Sequence, residues 1–267
     1  MIIMQLINVQ LFKTIIMNKL FKIGFMSCLA AATIIYTSCS KDDEEDNGSD
    51  IQVLQKKVKE IVSTYKDDKD YYYFDSEGRI TKIEHTYKGQ NVGNTTYSYT
   101  DSEITVESTI TTDLTYTLEN GRITKGSAKS NNITFEYTKD GYIAKITENH
   151  EIDEFTDVTT YTIENGNVSN IKIERNGKLE GNAKLFYNNT PNNLNVDLGL
   201  FMLGSPLEKI TGAFGKSIKN LPSKAVAIDG DDTFEATYEY VYNGDYLTKI
   251  ISTIEDSDQK IVEIIYE

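Results

Sequence analysis

The sequence predicts an all-β protein, a large antiparallel β-meander of hairpin repeats whose sheet is strongly curled or partly closed, with one short helical insert. Three observations predict it. One unit recurs along the chain: an aromatic strand, a polar turn with glycine, and a second strand. The residues flanking each turn are Tyr, Phe, Ile, Thr and Val, which pack well on a pleated surface. The units follow one another through short polar links, which join antiparallel neighbours.

The unit is clearest at Tyr72–Ile83 (YYFDSEGRITKI), and it recurs at Tyr116–Lys125, Tyr137–Ile146, Tyr161–Ile171 and Tyr242–Ile250. The turn glycines are Gly78, Gly121, Gly141, Gly166 and Gly244. A short acidic or amide turn ending in glycine fits a type I turn with a glycine bulge or a type I′ turn, since glycine takes positive φ without a Cβ clash. Two worn copies, Tyr97–Val106 and Tyr187–Val196, lack the glycine. Ile80 and Ile83 are three apart and cannot share a face of a regular strand. Either a bulge intervenes or both faces are partly buried.

At the N-terminus, Met17-Asn18-Lys19-Leu20-Phe21-Lys22 reads as a start followed by a basic segment. An apolar run, Ile23–Tyr36, and then Thr37-Ser38-Cys39 complete the three-part pattern of a secretory signal over residues 1–38. That run falls short of the ~20 residues a membrane-crossing helix needs. Thr37-Ser38-Cys39 resembles a bacterial lipobox, with Tyr36 departing from the usual Leu. The resemblance implies cleavage before Cys39, lipidation of that residue, and a membrane partner reached through the lipid. Ser40, Lys41, Asp42, Asp43, Glu44 and Glu45 follow at once and are similar to the acidic surface-export signal of Bacteroidetes lipoproteins. Physically, residues 39–50 are a solvated acidic tether.

Residues 51–267 read as a single repeat domain. Ile51–Tyr65 has helical spacing in its first part, while Val58–Tyr65 matches a β-branched run near the C-terminus and reads as the first strand. Repeats then continue to Val196, and the meander holds roughly sixteen strands, too many for a flat open sheet. The rhythm breaks at about 198–222. Ser205-Pro206 resembles a helix start, and Leu207, Ile210, Phe214 and Ile218 share one helical face. This insert reads as a short helix plugging the concave side of the sheet, since a single large sheet otherwise leaves an apolar face uncovered.

Charge narrows the function. Formal net charge is −14; three of the 27 basic residues and none of the 41 acidic ones precede Cys39, leaving 24 against 41 beyond it. No basic cluster stands out, so nucleic acid is not an expected partner. The two cysteines, Cys28 and Cys39, both lie in the leader region, so the body holds no disulfide or thiolate metal site. His85 and His150 sit beside variable loops, Lys88–Asn94 and Asn149–Phe155, and read as surface residues. Asp229, Asp231, Asp232 and Glu235 could hold a hard cation, but no EF-hand spacing supports it and an acidic turn accounts for them. No metal and no cofactor are expected, and no catalytic residues stand out. Eighteen Tyr and no Trp is unusual. Tyr could stack on sugars, but most copies hold it at one repeat position, which marks it as the strand-filling residue.

The unit Tyr-x-Phe-Asp-x-x-Gly-Arg-Ile at Tyr72–Ile80 resembles the YD repeats of Rhs-type proteins. With the lipobox, the acidic export signal and Gly215–Pro222, the chain resembles a family of uncharacterised Bacteroidetes surface lipoproteins. The resemblance implies a porin-like, large antiparallel β fold and brings no catalytic residues. The expected protein is a lipid-anchored, outer-membrane, surface-exposed, non-enzymatic binding or scaffold module for glycan or host protein. One alternative is a carbohydrate-active enzyme at the same place, which would need paired carboxylates in a cleft; a second is an integral outer-membrane barrel, which needs strands of about ten residues with an unbroken outward apolar face.

Overall fold

A computed structural model describes residues 57–152, 154–192, 213–229, 232–254 and 259–267. The leader, Cys39, Ser40–Glu45, the rest of the acidic tether and the possible helix before Val58 lie outside the described residues. The strands are β1 (Val58–Tyr65), β2 (Asp68–Phe74), β3 (Ile80–Tyr87), β4 (Gln90–Tyr99), β5 (Glu103–Ser108), β6 (Leu114–Glu119), β7 (Arg122–Ala128) and β8 (Asn131–Tyr137). They continue as β9 (Ile143–His150), β10 (Phe155–Glu164), β11 (Asn167–Arg175), β12 (Lys178–Pro191), β13 (Asn220–Asp229), β14 (Asp232–Asn243), β15 (Tyr246–Ile254) and β16 (Lys260–Tyr266).

Each strand pairs antiparallel with the next, and β1 pairs with β16, so all sixteen form one closed barrel. The expected partly closed sheet is corrected to full closure. Seven residue pairs join β1 to β16, from Val58↔Tyr266 to Tyr65↔Lys260. Closure removes the two edges that an open sheet of this size would expose.

The barrel has a glycine-turn end and a far end. At the glycine-turn end both expected turn types occur. Asp75 and Thr138 open four-residue loops in which the N–H of Gly78 and of Gly141 donates back to the loop's first carbonyl at 3.1 and 3.0 Å. In the first loop, Asp75 Oδ1 also accepts from the N–H groups of Glu77 and Arg79 (both 2.9 Å). Burial pushes the Asp75 carboxyl up, and the bonds from Arg79 and Glu77 outweigh it and hold the group below its ordinary value. The Asn120-Gly121 and Asn165-Gly166 pairs are both at positive φ, the type I′ geometry. The worn copy at Tyr97–Val106 replaces glycine with Thr100, whose hydroxyl oxygen accepts from Glu103 N (2.9 Å). The worn copy at Tyr187–Val196 is corrected: β12 runs on to Pro191, which pairs with Asn220, and 193–196 lie outside the described residues. The loop expected over Lys88–Asn94 is also shorter, because Lys88-Gly89 turns the chain and β4 starts at Gln90.

A bulge resolves the spacing of three. In every glycine-bearing copy the ladder skips one residue just inside the second strand: Thr81, Thr124, Ala144, Ser169 and Thr248. The skip turns Ile80 and Ile83 to one face, and both are fully buried; Val168 with Ile171 and Leu247 with Ile250 repeat the arrangement. On the other side of that strand the ladder stops short, and a tyrosine replaces it. Tyr99 Oη donates to Ile80 O (2.8 Å), Tyr137 to Ile123 O (2.7 Å), Tyr187 to Val168 O (2.8 Å) and Tyr266 to Leu247 O (2.7 Å). The tyrosines at these repeat positions are thus fixed by backbone carbonyls that would otherwise lack partners.

The core is the inner face of the barrel, one contiguous apolar cluster drawn from both halves of the chain. A sixteen-strand porin leaves a water channel, but here inner side chains such as Tyr72, Tyr116 and Ile171 are fully buried. The chain between β12 and β13 helps fill the space. The helix expected over 198–222 is corrected where that stretch is described: 213–219 are turns, Asn220 opens β13, and no helix occurs among the described residues. Residues 193–212, with Leu207 and Ile210, lie outside the described residues. The backbone of 213–219 bonds to the barrel instead of to itself. Ala213 O accepts from Ile123 N (2.9 Å), Lys216 N donates to Gly141 O (2.8 Å) and Lys219 N donates to Gly166 O (2.9 Å). Phe214 and Ile218 are buried in the core, and Phe214 lies 5.9 Å from the Phe135 ring. The segment is therefore a plug seated on the β6–β7, β8–β9 and β10–β11 turns.

The outer wall carries ion pairs beside some apolar side chains, Phe186, Val241 and Ile265 among them. Ion pairs link Lys145 to Glu136 (2.8 Å), Lys249 to Glu263 (3.0 Å), Lys172 to Glu174 (2.8 Å) and Lys224 to Glu235. Such exposed pairs are worth about 0–1 kcal/mol each. Their information lies in where they stand, on the outward positions of strand interiors.

Two predictions test this architecture. A Cβ on Gly215 would strike the Gly141 carbonyl oxygen, whereas one on Gly121 meets nothing within 4 Å; both residues have positive φ. Gly121→Ala should cost about 1–2 kcal/mol, the backbone penalty alone, and Gly215→Ala distinctly more in urea unfolding. Equal costs would mean the plug is not seated as described. Second, burial, then Tyr246 and Tyr242, push the Tyr266 phenol from 10.0 up to about 12, and burial raises Tyr99 and Tyr240 further. A raised folded value means stability that is complete below the ordinary phenol value and lost as pH rises through the folded one. The urea midpoint should hold up to pH ~10 and then fall as tyrosinate absorbance grows; a midpoint flat through pH 12 contradicts it.

Candidate functional site in the barrel mouth

At the far end the inner wall changes character. Alternation counted from buried Ile83 places His85 inside, and from Ile146 it places Glu148 and His150 inside. Two polar clusters result, and the reading of both histidines as surface residues is corrected: His85 is buried and the His150 side chain is 18% exposed.

The first cluster crosses β2, β3, β4 and β5. His85 Nδ1 lies 2.6 Å from Asp70 Oδ1, His85 Nε2 lies 3.1 Å from Thr95 Oγ1, and Thr95 Oγ1 lies 3.1 Å from Ser108 Oγ. Ser108 Oγ accepts from the N–H groups of Ile110 (3.3 Å) and Thr111 (3.2 Å), so its own hydrogen goes to Thr95. Thr95 then donates to His85 Nε2, and Nδ1–H donates to Asp70, whose Oδ2 also accepts from Tyr72 Oη (3.1 Å). The network itself assigns this tautomer. The order carboxylate, imidazole, hydroxyl is that of an acyl-transfer relay. Here the hydroxyl is buried and already bonded to a second hydroxyl, so the array acts as a clamp across four strands.

The second cluster crosses β8, β9, β10 and β11. Arg175 makes a bidentate pair with Asp157 (2.8 and 2.8 Å), and its guanidinium lies 4.2 Å from the Phe155 ring centroid. Phe155 stacks on His150 at 4.1 Å. Asn131 Nδ2 donates to Glu148 Oε1 (3.0 Å). His150 Nε2 is 3.7 Å from both Glu148 Oε1 and Asp157 Oδ2, beyond hydrogen-bond reach, and has no hydrogen-bond partner among the described residues. The Glu148 side chain faces inward yet is 36% exposed, so solvent reaches the barrel interior here.

Of the other sequence-expected positions, Asp229 and Asp232 pair at the ends of β13 and β14, while Asp231 lies outside the described residues. Among the described residues no group of His, Cys, Asp and Glu is placed to hold a metal ion. No described helix is long and apolar enough to cross a membrane. The turn glycines and the polar clusters stand at opposite ends of the barrel.

With sixteen strands closed into one antiparallel barrel, comparison with known proteins has a definite object. Residues 72–252 match a family described as a domain of unknown function (DUF4595) with porin-like fold. The chain belongs to that family. It is similar to a porin-like protein from Bacteroides uniformis, at 19% identity and a TM-score of 0.60, over 78% of this chain and 96% of that one. A porin-like protein from Bacteroides vulgatus is similar at 14% identity and a TM-score of 0.56, over 80% of this chain and 99% of that one. At these identities the likeness is one of fold. No curated protein matches.

The clamp generates a test. Asp70→Asn should cost roughly 1–3 kcal/mol, the price of a buried partner lost. Thr95→Val should cost less after Asp70→Asn than alone, because both act on His85. Urea unfolding of the two single variants and the double variant measures the coupling, and strict additivity would dissolve the network.

Proposed function

We propose that this family member is a lipid-tethered surface protein of the outer membrane, whose barrel is a non-enzymatic binding module for glycan or protein. The observation that carries the reading is the inversion of the wall. A barrel spanning lipid has an apolar outer band, and a charge at its midplane costs roughly 2–4 kcal/mol. This barrel puts Lys–Glu pairs outside and its apolar cluster inside. It suits water on the outside, with membrane attachment left to the chain's own lead segment.

The entry point supports the same reading. Lys57 lies at the glycine-turn end, where its Nζ donates to Ser76 O (3.2 Å) and its carbonyl accepts from Glu267 N (2.9 Å). A lipid on Cys39 would hold the barrel by its plugged end. The seventeen residues between Cys39 and Lys57 could reach up to about 60 Å if fully extended. The far end, with its polar clusters, then points away from the membrane. Its rim carries Tyr87, Val92, Ile110, Ile152, Leu179 and Ile228, all large apolar residues left exposed. Exposed apolar side chains around a polar mouth are a docking feature.

The test has two arms. Cys39→Ala should abolish incorporation of labelled palmitate and release the protein from the outer-membrane fraction. The Asn47–Glu267 fragment should stay soluble and monomeric without detergent. A fragment that inserts into lipid vesicles, or a Cys39→Ala protein that stays membrane-bound, defeats the tether. Turnover of surface glycans would favour the enzyme reading instead.

A further inference from the structure

We propose that the second polar cluster is a binding site for a primary ammonium group carried on an alkyl stem. This goes beyond the function proposed above and stands whether or not Cys39 is lipidated. The site is built on one register row across six consecutive strands. Tyr116 faces Gly126, Gly126 faces Ile133, Ile133 faces Glu148, Glu148 faces Asp157, and Asp157 faces Arg175. Gly126 lacks a side chain where the Tyr116 ring passes: a Cβ there would lie 2.9 Å from Cδ1 and Cε1. The ring is thereby laid across β7 toward β8 and β9, against Phe135 at 6.4 Å. Tyr116 is fully buried and its hydroxyl has no hydrogen-bond partner among the described residues. Burial and then the Glu148 charge both raise its phenol well above the ordinary value, so Glu148 is the charge it senses.

The chemistry follows from which groups are already used. Asp157 is neutralised by its two bonds to Arg175. Glu148 has one oxygen occupied by Asn131, and among the described residues no lysine or arginine is paired with it. His150 Nε2 is buried and unpartnered beside both carboxylates. The inward-facing Glu148 carboxylate, His150 Nε2 and Tyr116 Oη therefore stand on one side of the lumen, the last two without a hydrogen-bond partner among the described residues. A primary ammonium brings one positive charge and three N–H donors, which matches the Glu148 carboxylate with the Tyr116 hydroxyl oxygen on the same register row. A metal ion fits less well, since no described cluster has the ligand set for it. The stem has an apolar contact to hand in Ile152, two residues beyond His150 and 75% exposed. The acidic chain as a whole attracts a cation toward the mouth.

The measurement uses the mature chain from Cys39 with Cys39→Ala. Its two histidines give two pairs of imidazole signals in nitrogen-15 spectra, assigned with His85→Gln. Putrescine and n-butylamine are expected to shift the His150 signal saturably and leave His85 in place. Tetramethylammonium, which has no N–H, and calcium should fail to do so. Glu148→Gln should weaken putrescine binding at least tenfold, and Tyr116→Phe several-fold, with the barrel's urea midpoint reported beside each. The proposal is overturned if no primary amine moves His150, if Glu148→Gln binds as the parent does while remaining folded, or if tetramethylammonium or calcium acts as well as putrescine.

Discussion

The pairing of β1 with β16 is the contact on which the other features depend. Every other strand pair joins neighbours in sequence and could form in an open ribbon. The seven pairs from Val58↔Tyr266 to Tyr65↔Lys260 alone unite the two ends of the chain. Once they form, one face of the ribbon becomes an interior and the other an exterior along its whole length. Burial of Ile61, Val262 and Ile264 at the seam then adds to the same core as Tyr72 and Tyr116. Without the seam those residues would line two open edges, and the inner polar clusters would face water on a flat surface.

Closure sets a second requirement, a way to end the ladder without stranding backbone groups. The bulge and the tyrosine bond meet it together. The bulge turns two apolar residues inward within three positions, and this costs the ladder its regular pairing beside the turn. The hydroxyl from the next even-numbered strand takes the carbonyl so released, at Ile80, Ile123, Val168 and Leu247. The tyrosine must then be at a fixed distance from the glycine turn. One geometric need therefore writes both halves of the repeat, and it explains why Tyr rather than Phe or Trp recurs.

Much of this was legible in the residues, and the misses have physical causes. The β-branched run at Val58–Tyr65 marked β1 to the residue, and the Ile80/Ile83 spacing left a bulge as one of two options. Closure was hidden because β1 and β16 carry no mark of their pairing, and a twisted ribbon and a closed one share the same hairpins. The helix over 198–222 was misread where it is described because Phe214 and Ile218 are four apart, a spacing that also serves an irregular segment pressed against a core. Gly215, with φ of +84°, was the contrary signal. The polar clusters were missed for another reason. His85 and His150 were judged by the loops beside them, whereas strand alternation from Ile83 and Ile146 sets their direction.

The same alternation explains why polar groups can stand inside this barrel at one end only. Near the glycine turns the tyrosine hydroxyls are bound to backbone carbonyls, and the buried Asn167 and Asn192 are bonded to Asn220 and to Ile218 O. Toward the far end, inward carboxylates such as Glu148, Asp157 and Asp70 keep part of their surface in solvent. A carboxylate deeper in the wall would bear the cost of desolvation with no partner to offset it. The polar mouth is therefore confined to the end opposite the chain's entry at Lys57.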